Sequence, residues 1–125
     1  MAVDPRGEDL SRFLSEAPGG PVVMVNLLRF APDGEAAYHE YSRRAATFLR
    51  QYGGRVLYAG QGSTALVAEA GQDWDAVLIV WYPSRDAFSR MVADPGYLEI
   101  TPLRTRALSA AVLQATVPWP GFADS

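Results

Sequence analysis

Four side chains in the first part of the chain are of types that can act on a small organic molecule: Asn26, Tyr38, His39 and Tyr41. Asn26 interrupts an apolar run, where a buried amide needs a hydrogen-bond partner or costs about 1–3 kcal/mol. That partner is either a neighbouring loop or helix end, or a carbonyl or enolate oxygen of a ligand. His39 is the one histidine of the chain. Because histidine titrates near neutral pH, it is either a general base at a pocket mouth or a solvated residue on a helix surface.

Aromatic residues and one arginine further along the chain extend this set of candidates. Tyr38 and Tyr41 are three residues apart on a predicted helix, where they either fill the core or reach a ligand with their hydroxyls. Tyr58 and Trp81 fall on predicted strands and either pack there or line a pocket for a flat aromatic substrate.

Tyr97 and Arg104 are seven residues apart, two turns along one face of a predicted helix. Arg104 is either a clamp for a substrate carboxylate or a structural partner of Glu99 or Asp94. We therefore expect Asn26 and His39 in catalysis, and the tyrosines, the tryptophan and this arginine in ligand binding.

Several other kinds of site lack their sequence signals. The chain has no cysteine, which excludes disulfides, thiolate metal sites and a cysteine nucleophile, and one histidine argues against a dedicated zinc site. No serine lies in a nucleophile elbow, and no glycine-rich loop has the spacing of a phosphate site. We expect no cofactor and no metal.

Composition indicates the class of protein. The 125 residues suit one domain, and 49% hydrophobic with 20% charged residues is typical of a globular chain. A net charge of −3 without a basic stripe argues against nucleic acid as a partner. No apolar run approaches the roughly 20 residues of a membrane span, and acidic residues near the start argue against a signal peptide. These features predict a soluble cytoplasmic protein.

The elements that must position the candidates follow from periodicity. A short amphipathic helix over 8–17 precedes the core, in which strands and long helices alternate. Ser84 predicts the start of one helix and Asp94-Pro95 that of the next, which runs to about Leu108. Strands are predicted over 21–30, 55–59, 76–82 and 109–116, with further extended chain over 65–70, and the longest helix over 35–51.

The order strand, helix, strand, strand, helix, strand predicts an α+β domain of ferredoxin-like βαββαβ topology with a four-stranded antiparallel sheet. We expect this domain over 21–117, after an N-terminal extension over 1–20 and before a C-terminal tail over 118–125. The first and third strands are apolar on both faces, whereas helices cover one. A twofold homodimer with facing sheets covers the other, and the space between the sheets is then the expected pocket.

Several segments taken together resemble a known family. They are PVVMVNLLRF at 21–30, the Tyr38-x-x-Tyr41 pair, YGGRVLYAG at 52–60, WDAVLIVWYPSR at 74–85, AFSRMVADPGYLEITPLRTRAL at 87–108 and the closing strand. The chain resembles the DUF1330 family, of the dimeric α/β-barrel superfamily, over roughly residues 20–117. The resemblance implies the same fold and dimer. It implies no reaction, because the superfamily includes cofactor-free monooxygenases, polyketide cyclases, muconolactone-isomerase-like enzymes and haem-using enzymes.

Three functions stay open at this point. The first is a cofactor-independent enzyme of monooxygenase, isomerase or cyclase type, acting on a small aromatic or enolisable molecule. The second is a module that binds or senses a small molecule without changing it. The third is a structural or interaction domain, which a fully packed core without a ligand-sized void would favour.

Overall fold

The structure is a computed structural model that describes residues 4–16 and 19–122. The core order is βαββαβ, with a short helix before it, so the predicted fold class is confirmed. The predicted end of the first helix at Ala17 lies outside the described residues, as do residues 1–3 of the predicted extension and 123–125 of the predicted tail. The elements are α1 (Gly7–Ser15), β1 (Val22–Phe30), α2 (Glu35–Gln51), β2 (Arg55–Gln61), β3 (Ala76–Tyr82), α3 (Arg85–Ala93), α4 (Pro95–Ala107) and β4 (Leu108–Thr116).

The four strands form one antiparallel sheet in the order β2-β3-β1-β4. Asn26 lies at its centre, opposite Leu78 on one side and Leu113 on the other. A register shift between Val56 and Tyr58 places a bulge in β2. This bulge changes which face each β2 side chain occupies, because the side-chain period of a strand is two residues.

The extended chain predicted over 65–70 is not a strand in the structure. The β2–β3 ladder closes where the Gly62 amide donates to the Asp75 carbonyl at 2.8 Å, and the chain between them leaves the sheet. Leu66 and Val67 are 92% and 96% exposed there. Their apolar side chains indicated a strand, but this segment pairs with none of the four strands of the sheet.

One face of the sheet packs against the helices. Val22, Met24 and Leu28 of β1 and Val80 and Tyr82 of β3 are all buried on it. The other face carries the alternate residues of the same strands, such as Val25 and Ile79, which are only half-buried in the single chain. The sequence predicted helices on one face of the sheet. Among the described residues, the other face is apolar and carries no helix.

Local signals position the two helices after β3 as predicted. The Ser84 hydroxyl caps α3 by accepting from the Ala87 amide at 3.0 Å. The Asp94 carboxylate caps α4 by accepting from the Gly96 amide at 2.8 Å, with Pro95 in the first turn. Gly34 precedes α2 so closely to the Ala107 carbonyl that a Cβ there would overlap it. This close approach brings the start of α2 against the end of α4.

Among the described residues, no helix combines the length and the apolar character that crossing a membrane requires.

Candidate functional site

A cavity of about 480 Å³ lies between the helices and the sheet of one chain. We call it the helix–sheet cavity. Its volume falls within the roughly 300–1,000 Å³ range of small-molecule sites. Most of its wall is apolar. Its polar side chains include Asn26 of β1, Tyr38 and Tyr41 of α2, and Tyr97 and Arg104 of α4. Five of the eight residues predicted from the sequence therefore meet in one place.

Asn26 forms part of the sheet wall of the cavity. Within residues 4–16 and 19–122, its amide has no hydrogen bond to another side chain or to the backbone. The same part of the chain holds no fully enclosed side-chain nitrogen or oxygen that lacks a partner. The Asn26 amide is therefore accessible from the cavity, with Leu78 and Leu113 as its apolar register neighbours. It offers two N–H donors and one acceptor to whatever enters.

Tyr41 and Tyr97, which both line the cavity, form a buried hydroxyl–hydroxyl hydrogen bond. Burial raises the pKa of Tyr41 well above its ordinary value, and burial likewise raises the pKa of Tyr97. The positive charge of Arg104 opposes both effects without reversing them. Both phenols are thus neutral at neutral pH. Because one hydroxyl donates to the other, the pair keeps one O–H for a ligand.

Tyr38 continues this aromatic wall one turn earlier in α2. Its ring lies 5.5 Å from the Tyr41 ring and 5.8 Å from the Phe30 ring, between centroids. Burial raises the pKa of Tyr38, with the Arg104 charge and a hydrogen bond with Ser42 as the opposing effects. Tyr38 therefore acts as a neutral donor or as apolar surface, not as a base at neutral pH.

Arg104 lies in the last turn of α4 and is 8% exposed. Its Nη1 lies 3.6 Å from Oδ1 of Asp4. Neither acid expected as its structural partner takes that role. The Asp94 carboxylate caps α4 and accepts from the Tyr52 hydroxyl at 2.6 Å, and Glu99 is exposed.

Three of the predicted residues lie outside the helix–sheet cavity. The His39 side chain is 72% exposed and faces Glu35 at 3.4 Å, so this position does not support a general base at the cavity. Tyr58 is 58% exposed, and Trp81 lies under the Arg55 guanidinium at 4.6 Å.

The predicted placement of Asn26 between two sheets, walled by Tyr58 and Trp81, is corrected. Asn26 pairs with Leu78, whereas Tyr58 and Trp81 follow the register of Ile79 on the opposite face. Asn26 therefore looks toward the helices of its own chain.

Sequence reasoning missed several residues of the cavity. Ser42 follows Tyr38 by one helical turn, and Tyr82 lies on the same face of β3 as Val80, which faces the helices. Helical and strand periodicity could therefore have identified both residues. Asp4 carried no such signal. It reaches the cavity through a contact with Thr105, from which it is separated by 101 residues.

The site is rich in donors and carries a buried cation. Among the described residues, no three histidine, cysteine or acidic side chains come together in a way that would hold a metal ion. The Asn26 amide, the tyrosine pair and Arg104 together favour an oxygen that bears negative charge, such as that of an enolate, a phenolate or a carboxylate.

Solved structures share this fold. The RPA0582 protein of unknown function from Rhodopseudomonas palustris is 33% identical, with 93% of this chain and 95% of that chain covered and a TM-score of 0.85. SnoaB, a cofactor-independent oxygenase from Streptomyces nogalater, is 21% identical, with 82% and 98% covered and a TM-score of 0.54. A dimeric protein of unknown function and ferredoxin-like fold from Bacteroides fragilis is 9% identical, with 77% and 94% covered and a TM-score of 0.53.

Sequence comparison gives the family. No protein with a curated description matches the chain. The model of the family described as "Domain of unknown function (DUF1330)" matches residues 27–116, which include β1 from Leu27 onward, all three helices after it and the other strands of the sheet. The chain therefore belongs to the DUF1330 family.

Proposed function

We propose that this protein is a cofactor-independent enzyme that acts on a small aromatic or enolisable molecule bound in the helix–sheet cavity. The observation that carries the proposal is the Asn26 amide, which opens into an apolar cavity with no hydrogen bond to the described chain. A polar group that breaks a core strand lowers stability unless it has a partner. A ligand oxygen is a partner that would account for its presence.

The chemistry proposed is stabilisation of an oxyanion. A bound enol or phenol loses its hydroxyl proton to water, and the electron pair stays on the oxygen. The Asn26 N–H groups and the free O–H of the Tyr41–Tyr97 pair donate to that oxygen, and the Arg104 charge favours it. The resulting enolate is electron-rich at carbon. It can then react as a monooxygenase, isomerase or cyclase substrate without a bound cofactor.

The fold offers support by analogy. SnoaB is described as a cofactor-independent oxygenase and has this fold. At 21% identity this likeness concerns the fold alone. It supports the proposal in that the same scaffold hosts chemistry of this type in another protein.

The test is turnover without added cofactor. Purified protein is incubated with a panel of enolisable aromatic compounds, in air and under nitrogen, and masses are followed by mass spectrometry. A gain of one oxygen with loss of two hydrogens, seen only in air, identifies a monooxygenase, because the substrate itself then supplies the two electrons that reduce the second oxygen atom of O2 to water. An unchanged mass with a new retention time identifies an isomerase, and loss of water identifies a cyclase. Asn26→Ala should lower turnover at least about tenfold, whereas His39→Ala should leave it unchanged.

A second candidate function is non-catalytic binding of the same class of molecule. It is favoured by the position of His39, which leaves the one histidine of the chain outside the cavity. Recovery of every bound compound intact, with binding weakened in Asn26→Ala, would support a binding or sensing module over an enzyme.

We also propose that the protein is a homodimer. The sheet face opposite the helices carries half-buried apolar residues such as Val25, Leu27 and Ile79 in the single chain. A second copy of that face would bury them. The neighbour from Bacteroides fragilis is described as dimeric, which supports the proposal by analogy of fold.

A further inference from the structure

The segment before α1 lies along the helix–sheet cavity. Asp4, Pro5, Arg6 and Gly7 all contribute to its wall. The Asp4 carboxylate accepts hydrogen bonds from the Thr105 hydroxyl, with oxygen–oxygen distances of 3.1 and 3.2 Å. The same carboxylate lies 3.6 Å from the Arg104 guanidinium. An acid of the chain itself therefore lies beside the cation of the site.

The two partners of this ion pair differ in burial. The Arg104 side chain is 9% exposed, whereas the Asp4 side chain is 50% exposed. A buried guanidinium needs negative charge close to it, because removal from water disfavours an uncompensated cation. The planar fork of arginine also matches a carboxylate with two parallel hydrogen bonds, which is a geometry that a small ligand is free to adopt.

We propose that the substrate carries a carboxylate, which binds Arg104 in place of Asp4 and displaces the N-terminal segment as it enters. The proposal rests on the proposed function, since it concerns the same cavity. It adds the charge of the ligand to that function: the ligand is a small aromatic or enolisable acid rather than a neutral molecule. Asp4 is then an internal competitor for the substrate.

The attachment of the segment suits such a displacement. Its far end is held by α1, where the Phe13 ring packs edge-on to Phe88 at 5.6 Å and the Phe13 carbonyl accepts from Arg85 at 3.1 Å. Its near end is held by the half-exposed Asp4. Because the Asp4 side chain is half-exposed, water can solvate its carboxylate as soon as it leaves Arg104. The segment is thus held by packed rings at α1 and by a water-accessible carboxylate at Asp4.

Space is present on both sides of the segment. A second cavity of about 760 Å³ also has Asp4, Pro5, Arg6 and Leu10 in its wall, together with β4 residues such as Gln114. The segment around Asp4 therefore borders two cavities. Movement of Asp4 away from Arg104 needs no repacking of the buried core, whose described members begin at Phe13.

The experiment compares two probes of equal shape, 2-hydroxybenzoate and 2-hydroxybenzamide, which differ in the charge of one substituent. Binding to the full chain is measured by calorimetry at 150 mM salt. We expect the benzoate to bind at least about tenfold more tightly than the benzamide. Asp4→Asn should tighten benzoate binding at least about threefold and leave benzamide binding unchanged, because it removes only the competitor.

Glu8→Gln is the matched control. It removes the same charge from the same end of the chain, but Glu8 lines neither cavity and pairs with the exposed Arg6. We expect it to change benzoate binding less than twofold. If Glu8→Gln tightens benzoate binding as much as Asp4→Asn does, the effect comes from the net charge of the protein, and the inference is overturned.

Arg104→Gln should abolish the preference for the benzoate. Because Arg104 is buried, circular dichroism must first show that this variant folds; should it not fold, the comparison of Asp4→Asn with Glu8→Gln decides. Equal affinity of the two probes for the wild-type chain overturns the carboxylate inference and leaves the proposed function standing. Failure of both probes to bind wild type and Asp4→Asn overturns the two together.

Discussion

Tyr41 and Tyr97 share a hydrogen bond between their hydroxyls, although they are 56 residues apart in the sequence and lie on different helices. Their rings meet edge-on with centroids 6.2 Å apart. The pair joins α2 to α4 and forms part of the wall of the helix–sheet cavity. It therefore links the stability of the helix layer to the proposed site.

A double-mutant cycle should reveal coupling between the two hydroxyls. Tyr41→Phe and Tyr97→Phe each remove one partner and keep the ring packing, so each should lower the free energy of unfolding. We expect a coupling energy of about 0.5–1.5 kcal/mol from urea unfolding of the two single variants and the double variant. Tyr58→Phe is the control, because that hydroxyl is on an exposed ring of β2. Additive losses would mean that the hydrogen bond makes no net contribution.

Alkaline pH should destabilise the protein through its buried tyrosines. Burial raises the pKa of Tyr38, Tyr41, Tyr82 and Tyr97 in the folded chain. A raised pKa in the folded state means that this contribution is fully present below pH 10, where unfolded tyrosine stays neutral. It is lost as pH rises above about 10, because the unfolded chain then releases protons that the folded chain retains.

Urea unfolding of wild type and Tyr82→Phe at pH 8, 10 and 11 checks this expectation. Tyr82 is 6% exposed, and its ring packs on Phe88, so phenylalanine keeps the packing. The variant should lose about 1 kcal/mol less than wild type between pH 10 and pH 11. Identical pH profiles for the two proteins would show that Tyr82 ionises equally easily in both states.

The fold was predictable because its signals are local. Ser84 and the Asp94-Pro95 pair marked two helix starts, and the structure shows both caps. Two residues of the site followed from helical periodicity in the same way: Tyr97 and Arg104 lie on one face of α4 and both line the cavity. The extended chain predicted over 65–70 is not part of the sheet, because strand propensity does not reveal whether a segment finds a neighbouring strand to pair with.

The arrangement of the site was not predictable to the same degree. β1 is apolar on both faces, so its sequence did not show whether helices cover the face of Asn26 or that of Val25. The bulge in β2 also places Tyr58 with Ile79, which periodicity alone could not decide. Asp4 reaches Arg104 only through the tertiary fold, because 100 residues of chain separate positions that no periodic pattern connects.

Asn26→Leu should separate stability from function. The amide has no hydrogen bond within the described chain and lies between Leu78 and Leu113 in the sheet register. An apolar side chain of similar size removes the desolvated amide, so the free energy of unfolding should rise by roughly 1 kcal/mol or stay unchanged. Turnover or ligand binding should fall at least about tenfold. A loss of more than about 1 kcal/mol in urea unfolding would instead identify Asn26 as a structural residue.

The last prediction concerns assembly. Val25 lies at the centre of the helix-free sheet face, opposite Ile79 and Gln114 in the two neighbouring strands. A dimer through this face should bury about 1,600 Å² in total, the standard size of a specific interface. Light scattering at micromolar concentration should therefore give twice the mass of the chain, and Val25→Glu should give the monomer, because it places an unpaired carboxylate in the apolar contact. Leu14→Glu is the matched control: Leu14 is 43% exposed on α1, away from this face, and that variant should stay dimeric. A monomeric wild type, or equal dissociation of both variants, would contradict the assignment of this face to a second copy of the chain.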